Sequence, residues 1–186
     1  LCGINPVETP NNCTQTSLFV PGQGSYVVDP ATGLVTFDPL PTFSGTATPI
    51  KYQASNEAGQ TVNSTITATV GAPPLPTAKP DSSSSAMKVV QTINPLGNDT
   101  AGVSPIPLDP TSVKLCGIDP VETPNDCTKT TLTVPGKGTF TVDPVTGLVS
   151  FTPIDTFHGT VPPINYTVAD SLGREVASQI NIVVLP

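Results

Sequence analysis

The cysteines are the residues whose type and spacing most clearly predict chemistry. Cys2 and Cys13 form one C-x10-C pair, and Cys116 and Cys127 form a second. A structural zinc site needs closely spaced cysteines and four donors, but the chain has a single histidine, His158. Redox chemistry of the C-x-x-C type is excluded by the spacing. We therefore predict two local disulfides and an oxidising compartment outside the cytoplasm.

The residues between the cysteines are nearly the same in both pairs, "LCGINPVETPNNC" and "LCGIDPVETPNDC". They are turn formers, and closing a loop of about a dozen residues stabilises a fold by nearly 3 kcal/mol on the chain-entropy model. An exposed loop on a rigid scaffold is also a common recognition surface. Its polar residues at matching positions are Glu8, Asn11, Glu122 and Asn125. They are candidate ligand residues, with solvated surface as the alternative interpretation.

Acidic side chains offer little catalytic chemistry, because no carboxylate pair or histidine occurs in both copies of the pattern. We expect Asp29 and Asp143 to cap turns, and we predict that the protein is not an enzyme. Calcium is a weak alternative to having no cofactor, with Asp81, Asp99 and Asp109 as oxygen donors. Asx turns explain those three residues as well. Lys88 and Lys114 raise the further alternative of an intramolecular isopeptide bond.

The composition indicates which kind of secondary structure positions these residues. Pro 23 and Gly 15 predict many turns and few helices, and charged residues are only 11% of the chain. The net charge of −7 is scattered and no basic patch exists, which excludes nucleic acid as a partner and makes binding to an anionic membrane equally improbable on charge grounds. No apolar run is long enough to insert into a membrane.

A duplication organises the chain. An offset of 114 aligns residues 1–70 with 115–184, and 39 of these 70 positions are identical. We expect a first repeat over 1–72, a Pro-rich semi-rigid linker over 73–80 and a complete second repeat over 81–186. The first repeat has no counterpart of residues 76–113, so we expect it to lack its N-terminal strands. An unpaired edge or an open core slot, filled by a neighbouring chain in a crystal, would follow.

Strands are predicted throughout by β-prone runs separated by turn signals. In "TVNSTITATV" the alternation places Val62, Ile66, Ala68 and Val70 on one face, while "VDPATGL" and "VDPVTGL" are typical of hairpin turns. The runs are 25–28, 34–37, 50–53, 62–70, 139–142, 148–151, 164–168 and 176–184. The fold class is therefore all-β, with tandem β-sandwich (Ig-like) repeat domains.

The blocks "VDPxTGLVxFxP" and "TFxGT" in both copies, with "NPLGNDTAG" before the second, resemble the CshA-type fibril repeat of bacterial cell-surface adhesins. The resemblance covers residues 1–70 and 76–186. It implies β-sandwich repeats strung into an extracellular fibril on the bacterial cell surface, and it supplies no catalytic residues. We expect the fibril to be anchored through regions outside these 186 residues. The cysteine loop departs from the pattern of the family.

We therefore predict a structural stalk that projects a distal binding region from the cell surface. Its expected partners are the neighbouring repeats of the same chain. The alternative is a direct binding module for a host extracellular matrix protein or glycan, acting through the disulfide-closed loop. Against that alternative, the loop contains no Trp, Tyr or Arg to anchor a partner.

Overall fold

The structure is a computed structural model that describes residues 1–4, 13–118 and 127–186. The chain forms two compact units, Leu1–Pro73 (unit 1) and Pro74–Pro186 (unit 2). Nearly all of the described residues in regular structure lie in strands, and the one helical element is the short 3-10 turn Pro95–Gly97. The predicted all-β fold class is confirmed.

Unit 2 is a sandwich of two sheets. Its strands are β9 (Asp81–Ala86), β10 (Gln91–Ile93), β11 (Leu108–Ile118), β12 (Thr131–Val134), β13 (Gly138–Val142), β14 (Val149–Pro153), β15 (Gly159–Thr160), β16 (Ile164–Asp170) and β17 (Glu175–Leu185). One sheet has the order β10-β14-β13-β12, and the other has the order β11-β16-β17-β15 with β9 added in parallel to β17. The 3-10 turn lies between β10 and β11, so residues 81–118 contribute strands to both sheets.

Alternating side chains of both sheets fill the space between them. Phe140 and Phe151, opposite one another on β13 and β14, stack with ring centroids 4.6 Å apart. Tyr166 on β16 and Ile180 on β17 meet them from the other sheet, and all four side chains are fully buried. Since aromatic and branched side chains suit a pleated, half-buried surface, this sequence folds as strands and not as helices.

The β13–β14 hairpin turn has the chemistry that the sequence predicts. Asp143 Oδ1 accepts hydrogen bonds from the backbone N–H groups of Val145 at 2.8 Å and Thr146 at 3.1 Å. Gly147 has a φ of 71°, the left-handed conformation that favours glycine. Asp29 and Gly33 repeat the arrangement in unit 1, where Gly33 has a φ of 73°.

Part of the segment that we expected to be a linker contacts unit 2. Thr77 and Thr100 exchange backbone hydrogen bonds of 2.9 Å, and the guanidinium of Arg174 donates to the carbonyl oxygen of Pro74 at 3.1 Å. The backbone N–H of Lys79 donates to Asp99 Oδ1 at 2.7 Å. Residues 74–80 therefore line the second sandwich.

Unit 1 repeats the same plan with fewer strands. They are β1 (Gly3–Ile4), β2 (Ser17–Val20), β3 (Gly24–Val28), β4 (Val35–Pro39), β5 (Gly45–Thr46), β6 (Ile50–Ser55), β7 (Thr61–Ile66) and β8 (Thr69–Val70). The sheets are β2-β3-β4, β1-β6-β7 and the pair β5-β8. Tyr26 and Phe37 stack with centroids 4.5 Å apart, as their counterparts do in unit 2.

The core of unit 1 is less well covered than that of unit 2. Its fully buried cluster is small, built around Tyr26 and Ile50, and Phe37 and Tyr52 are half-buried where Phe151 and Tyr166 are fully buried. Val62, which we expected on the inward face of its strand, has 66% of its surface exposed. Within the described residues, nothing in unit 1 corresponds to β9 or β10.

Removing the same ring from the two units should cost different amounts. We expect Phe151→Ala to lower the free energy of unfolding of unit 2 by about 3–5 kcal/mol, because the ring is fully buried. Phe37→Ala should lower that of unit 1 by clearly less, since its ring is already partly in water. Hydrogen exchange followed separately in strands β14 and β4 against denaturant measures both effects. Equal losses would contradict the difference in burial.

Candidate functional site

Each unit carries a disulfide at the base of its cysteine loop. Cys2 is bonded to Cys13 and Cys116 to Cys127, with a sequence separation of 11 in both pairs and no free cysteine among the residues described. The first cysteine of each pair is buried: Cys2 immediately precedes β1 and Cys116 lies within β11, and both strands are at the edges of their sheets. The bond therefore joins the loop to the core and not merely to itself.

Backbone hydrogen bonds reinforce the base of the loop in unit 2. Leu115 and Lys129, one residue before and two residues after the cysteines, exchange N–H to carbonyl bonds of 2.8 and 3.1 Å. The ammonium of Lys129 also donates to the carbonyl oxygen of Cys116 at 3.2 Å. The candidate ligand residues of the loops, Glu8, Asn11, Glu122 and Asn125, lie outside the described residues, so their role stays a prediction.

A second candidate site is an acidic cluster in unit 2, formed by Asp81, Asp99 and Tyr166. The Tyr166 hydroxyl donates to Asp99 Oδ2 at 3.1 Å, and it also lies 3.4 Å from the carbonyl oxygen of Lys79. Asp81 begins β9 opposite Ile180, and only 8% of its surface is exposed. Tyr166 is fully buried. The fold thus holds two carboxyl groups and a phenol together at the edge of the core.

Burial governs the ionisation of this cluster. Loss of hydration raises the pKa of Asp81 to about 6, and the neighbouring charge of Asp99 adds to the shift. Burial likewise raises the pKa of Asp99, although the backbone N–H of Lys79 opposes it. The pKa of Tyr166 is also raised, by burial first and then by the two carboxylates. Folding of unit 2 therefore favours the protonated forms of these side chains.

The calcium candidates do not come together as three. Asp109 accepts hydrogen bonds from the N–H and hydroxyl of Thr111 at 2.9 and 2.7 Å, which is the Asx-turn arrangement. In the parts of the chain that the structure describes, no group of three or more His, Cys, Asp or Glu side chains could hold a metal ion. Lys88, one of the isopeptide candidates, is an exposed turn residue with a φ of 65°.

Sequence reasoning missed one ion pair. Arg174 contacts Asp170 Oδ2 through Nε at 2.8 Å and through a terminal nitrogen at 2.7 Å. Burial opposes ionisation of Asp170, but hydrogen bonds from Arg174 and Leu172 outweigh it and hold its pKa below the usual value. The equivalent positions in unit 1, Asn56 and Gln60, are joined by an amide hydrogen bond of 2.8 Å. The spacing of four residues between Asp170 and Arg174, across a tight turn, could have predicted this ion pair.

The comparison with protein families gives a match over both units. The family model for the surface adhesin CshA repetitive domain matches residues 6–70 and 73–184, which is two tandem repeats. No curated protein matches the chain. In addition, no helix within the described residues is long and apolar enough to cross a lipid bilayer.

Removal of a disulfide should destabilise its own unit. We expect the double substitution Cys116→Ala and Cys127→Ala to lower the free energy of unfolding of unit 2 by about 3 kcal/mol, because the unfolded chain regains the entropy of an open loop. Cys2→Ala with Cys13→Ala should do the same to unit 1, since the separation of 11 is equal. Each double variant is the control for the other. Unfolding curves that do not change in either variant would contradict the prediction.

The acidic cluster predicts a pH dependence of stability. Because folding raises the pKa of Asp81 from 3.8 to about 6, its stabilising contribution is complete below pH ~4 and is lost as the pH rises through 6. We expect Asp81→Asn to reduce the fall of the melting temperature of unit 2 between pH 4 and pH 8, and to raise that melting temperature at pH 7.5. Calorimetry between pH 4 and pH 8 measures the melting temperature and its dependence on pH.

Asp143→Asn is the matched control of opposite sign. Hydrogen bonds from Val145 and Thr146 hold the pKa of Asp143 below its usual value, so its contribution is present above pH ~4 and lost on acidification. This substitution should lower the melting temperature at pH 7.5. An Asp81→Asn protein that is less stable at pH 7.5, with an unchanged dependence of the melting temperature on pH, would show that ionisation of Asp81 does not destabilise unit 2.

Proposed function

The chain belongs to the family of surface adhesin CshA repetitive domains, and from this we propose that its two units are stalk segments of an extracellular bacterial adhesin fibril. The chain is a repeat region of a surface adhesin, and the family is of a structural, non-enzymatic kind. The finer proposal is that the units project a distal binding region from the cell. Anchoring would be supplied by other parts of the adhesin.

The observation that carries the proposal is the duplication of one sandwich plan along the chain. Each unit has its own apolar cluster, its own β-hairpin turn and its own disulfide. Stability in such an array is a sum over units and their junctions, so length can be set by repetition without redesigning any unit. Neither a cofactor nor a metal is required by this role.

The disulfides also support a mechanical role. Each one removes the residues between its cysteines from the length that an unfolded unit can release under load. Because the bond joins the returning end of the loop to the edge strand, it holds the base of the loop closed. The partners that the proposal needs are neighbouring repeats. A host matrix protein or glycan is a partner only in the alternative function.

Force spectroscopy on the whole chain tests the stalk. We expect two separate unfolding events, one for each unit, with an increase in released length of about 35 Å per unit after reduction, since about eleven residues per unit become extensible. The Cys→Ala double variants provide the control, because each should lengthen one event and leave the other unchanged. A single event at low force would contradict two self-contained load-bearing units.

Binding of the oxidised chain to immobilised matrix proteins and to a glycan array tests the alternative. A stalk shows no saturable binding, and replacing residues 5–12 and 119–126 by Gly-Ser linkers of equal length changes its stability alone. Saturable binding that disappears after that replacement would make the loops recognition surfaces and overturn the stalk. Replacing one loop at a time would then show whether both units bind.

A further inference from the structure

The carboxyl group of Asp81 in unit 2 is buried with one oxygen unpaired. Only 8% of the Asp81 surface is exposed, and Asp81 Oδ2 accepts no hydrogen bond from the residues that the structure describes. The carboxyl group lies beside the Tyr166 hydroxyl, the Asn98 amide and the carboxyl group of Asp99. A buried polar atom without a partner is rare, because it has lost its water without gaining a hydrogen bond. Asp81 Oδ2 therefore needs a partner that the described residues do not supply.

No basic side chain neutralises the two carboxyl groups of the acidic cluster. Among the described residues, neither Asp81 nor Asp99 forms an ion pair, and the Arg174 guanidinium is bonded elsewhere. The exposed ammonium of Lys79 acts on Asp99 through its charge without reaching contact distance. Placing two carboxylates side by side away from water is unfavourable unless an opposite charge compensates them. A cation between the two carboxylates would supply that compensation.

Further oxygen atoms surround the same place. The Lys79 carbonyl oxygen lies 3.4 Å from the Tyr166 hydroxyl, which in turn lies 3.1 Å from Asp99 Oδ2. Asp99 Oδ1 accepts a hydrogen bond from the Lys79 N–H and Oδ2 accepts one from Tyr166, so each oxygen keeps a lone pair. Asp99 is only half-buried, which leaves a path from solvent. The cluster thus offers carboxylate, carbonyl and hydroxyl oxygens, the ligands of a hard cation.

Contacts outside the carboxyl groups hold these oxygens in position. The Asn98 amide donates to the carbonyl oxygen of Pro80 at 3.1 Å, which joins the turn before Asp99 to the start of β9. The Asn181 amide donates to the carbonyl oxygen of Asp81 at 3.2 Å, which joins β9 to β17. Ligands that are positioned by a second set of hydrogen bonds lose little freedom when an ion binds.

We propose that Asp81 and Asp99 bind a calcium ion, with the Lys79 carbonyl oxygen and water completing the coordination. Calcium accepts about six to eight oxygen ligands in flexible geometry, whereas magnesium demands a regular octahedron and zinc prefers His and Cys. Two carboxylates make a weak site, with a Kd on the order of 10⁻⁴–10⁻³ M, as in other extracellular modules. The ion fastens the start of β9 to the turn that carries Asp99. This goes beyond the stalk, and failure of the test leaves the stalk proposal untouched.

Calorimetry of the full chain at pH 7.5, with calcium chloride added after treatment with a chelator, tests the site. We expect a saturable rise in the melting temperature of unit 2, by about 5 °C at a calcium concentration about ten times the Kd. Asp81→Asn and Asp99→Asn should each abolish most of this rise, measured from the calcium-free melting temperature of the same variant. Asp109→Asn is the matched control, because it removes an equal charge outside the cluster and asparagine can keep the Asx turn.

Hydrogen exchange in β9 assigns the rise to unit 2. An equal rise in all three variants would place the calcium elsewhere on the acidic surface and overturn the proposal. Absence of a rise at calcium concentrations up to about 10 mM would overturn it as well, since that is above the weakest Kd expected. An equal response to magnesium chloride would overturn the choice of calcium.

Terbium luminescence gives a second measurement that does not depend on stability. Terbium(III) takes the same oxygen ligands as calcium, and a tyrosine ring close to the bound ion excites its emission. The chain has no tryptophan, and the other two tyrosines, Tyr26 and Tyr52, belong to unit 1. We expect an emission that calcium chloride displaces, that Tyr166→Phe reduces severalfold and that Tyr52→Phe leaves unchanged. Emission that persists in Tyr166→Phe, or that calcium does not displace, would contradict a site in the cluster.

Discussion

The requirement that the apolar layer between two β-sheets be covered at its edges governs both units. In unit 2 residues 81–118 meet this requirement by contributing strands to both sheets, and Phe140, Phe151 and Tyr166 are fully buried. The described part of unit 1 has the same hairpins, turns and aromatic pair. Burial of each large side chain contributes about 1.5–3 kcal/mol, so covering several such positions in unit 2 is a large contribution beside the marginal stability of a small domain.

The disulfides add stability to units whose cores contain few aromatic side chains. Aromatic residues are 5% of the chain and tryptophan is absent, which limits the apolar area that each unit can bury. A covalent link between an edge strand and the return of its loop adds stability without adding core volume. The disulfide and the sandwich thus stabilise each unit by different means.

Pairing of strand β9 with the rest of unit 2 buries a carboxyl group, which is unfavourable for its ionised form. The strand begins at Asp81, and pairing it with β17 places that carboxyl group beside Asp99 under the hydroxyl of Tyr166. The equivalent tyrosine in unit 1, Tyr52, is half-buried. Within the described residues, the two equivalent tyrosines therefore differ in burial.

Much of this protein was determined by local sequence. Alternating β-branched residues, the Asp-Pro-x-Thr-Gly turns and the paired cysteines specify strands, hairpins and closed loops, because each depends on neighbours a few residues away. The eight predicted strand runs lie within or overlap the observed strands. The duplication itself indicated two units with matching hairpins.

Tertiary structure decided what lies far apart in the chain. It placed Asp81 beside Asp99 and Tyr166, left Val62 in solvent and brought residues 74–80 onto the second sandwich. These outcomes depend on strand order and register, such as the parallel pairing of β9 with β17 across about a hundred residues. The periodicity of a strand specifies which side chains share a face, but the packing of the other strands decides whether that face is covered.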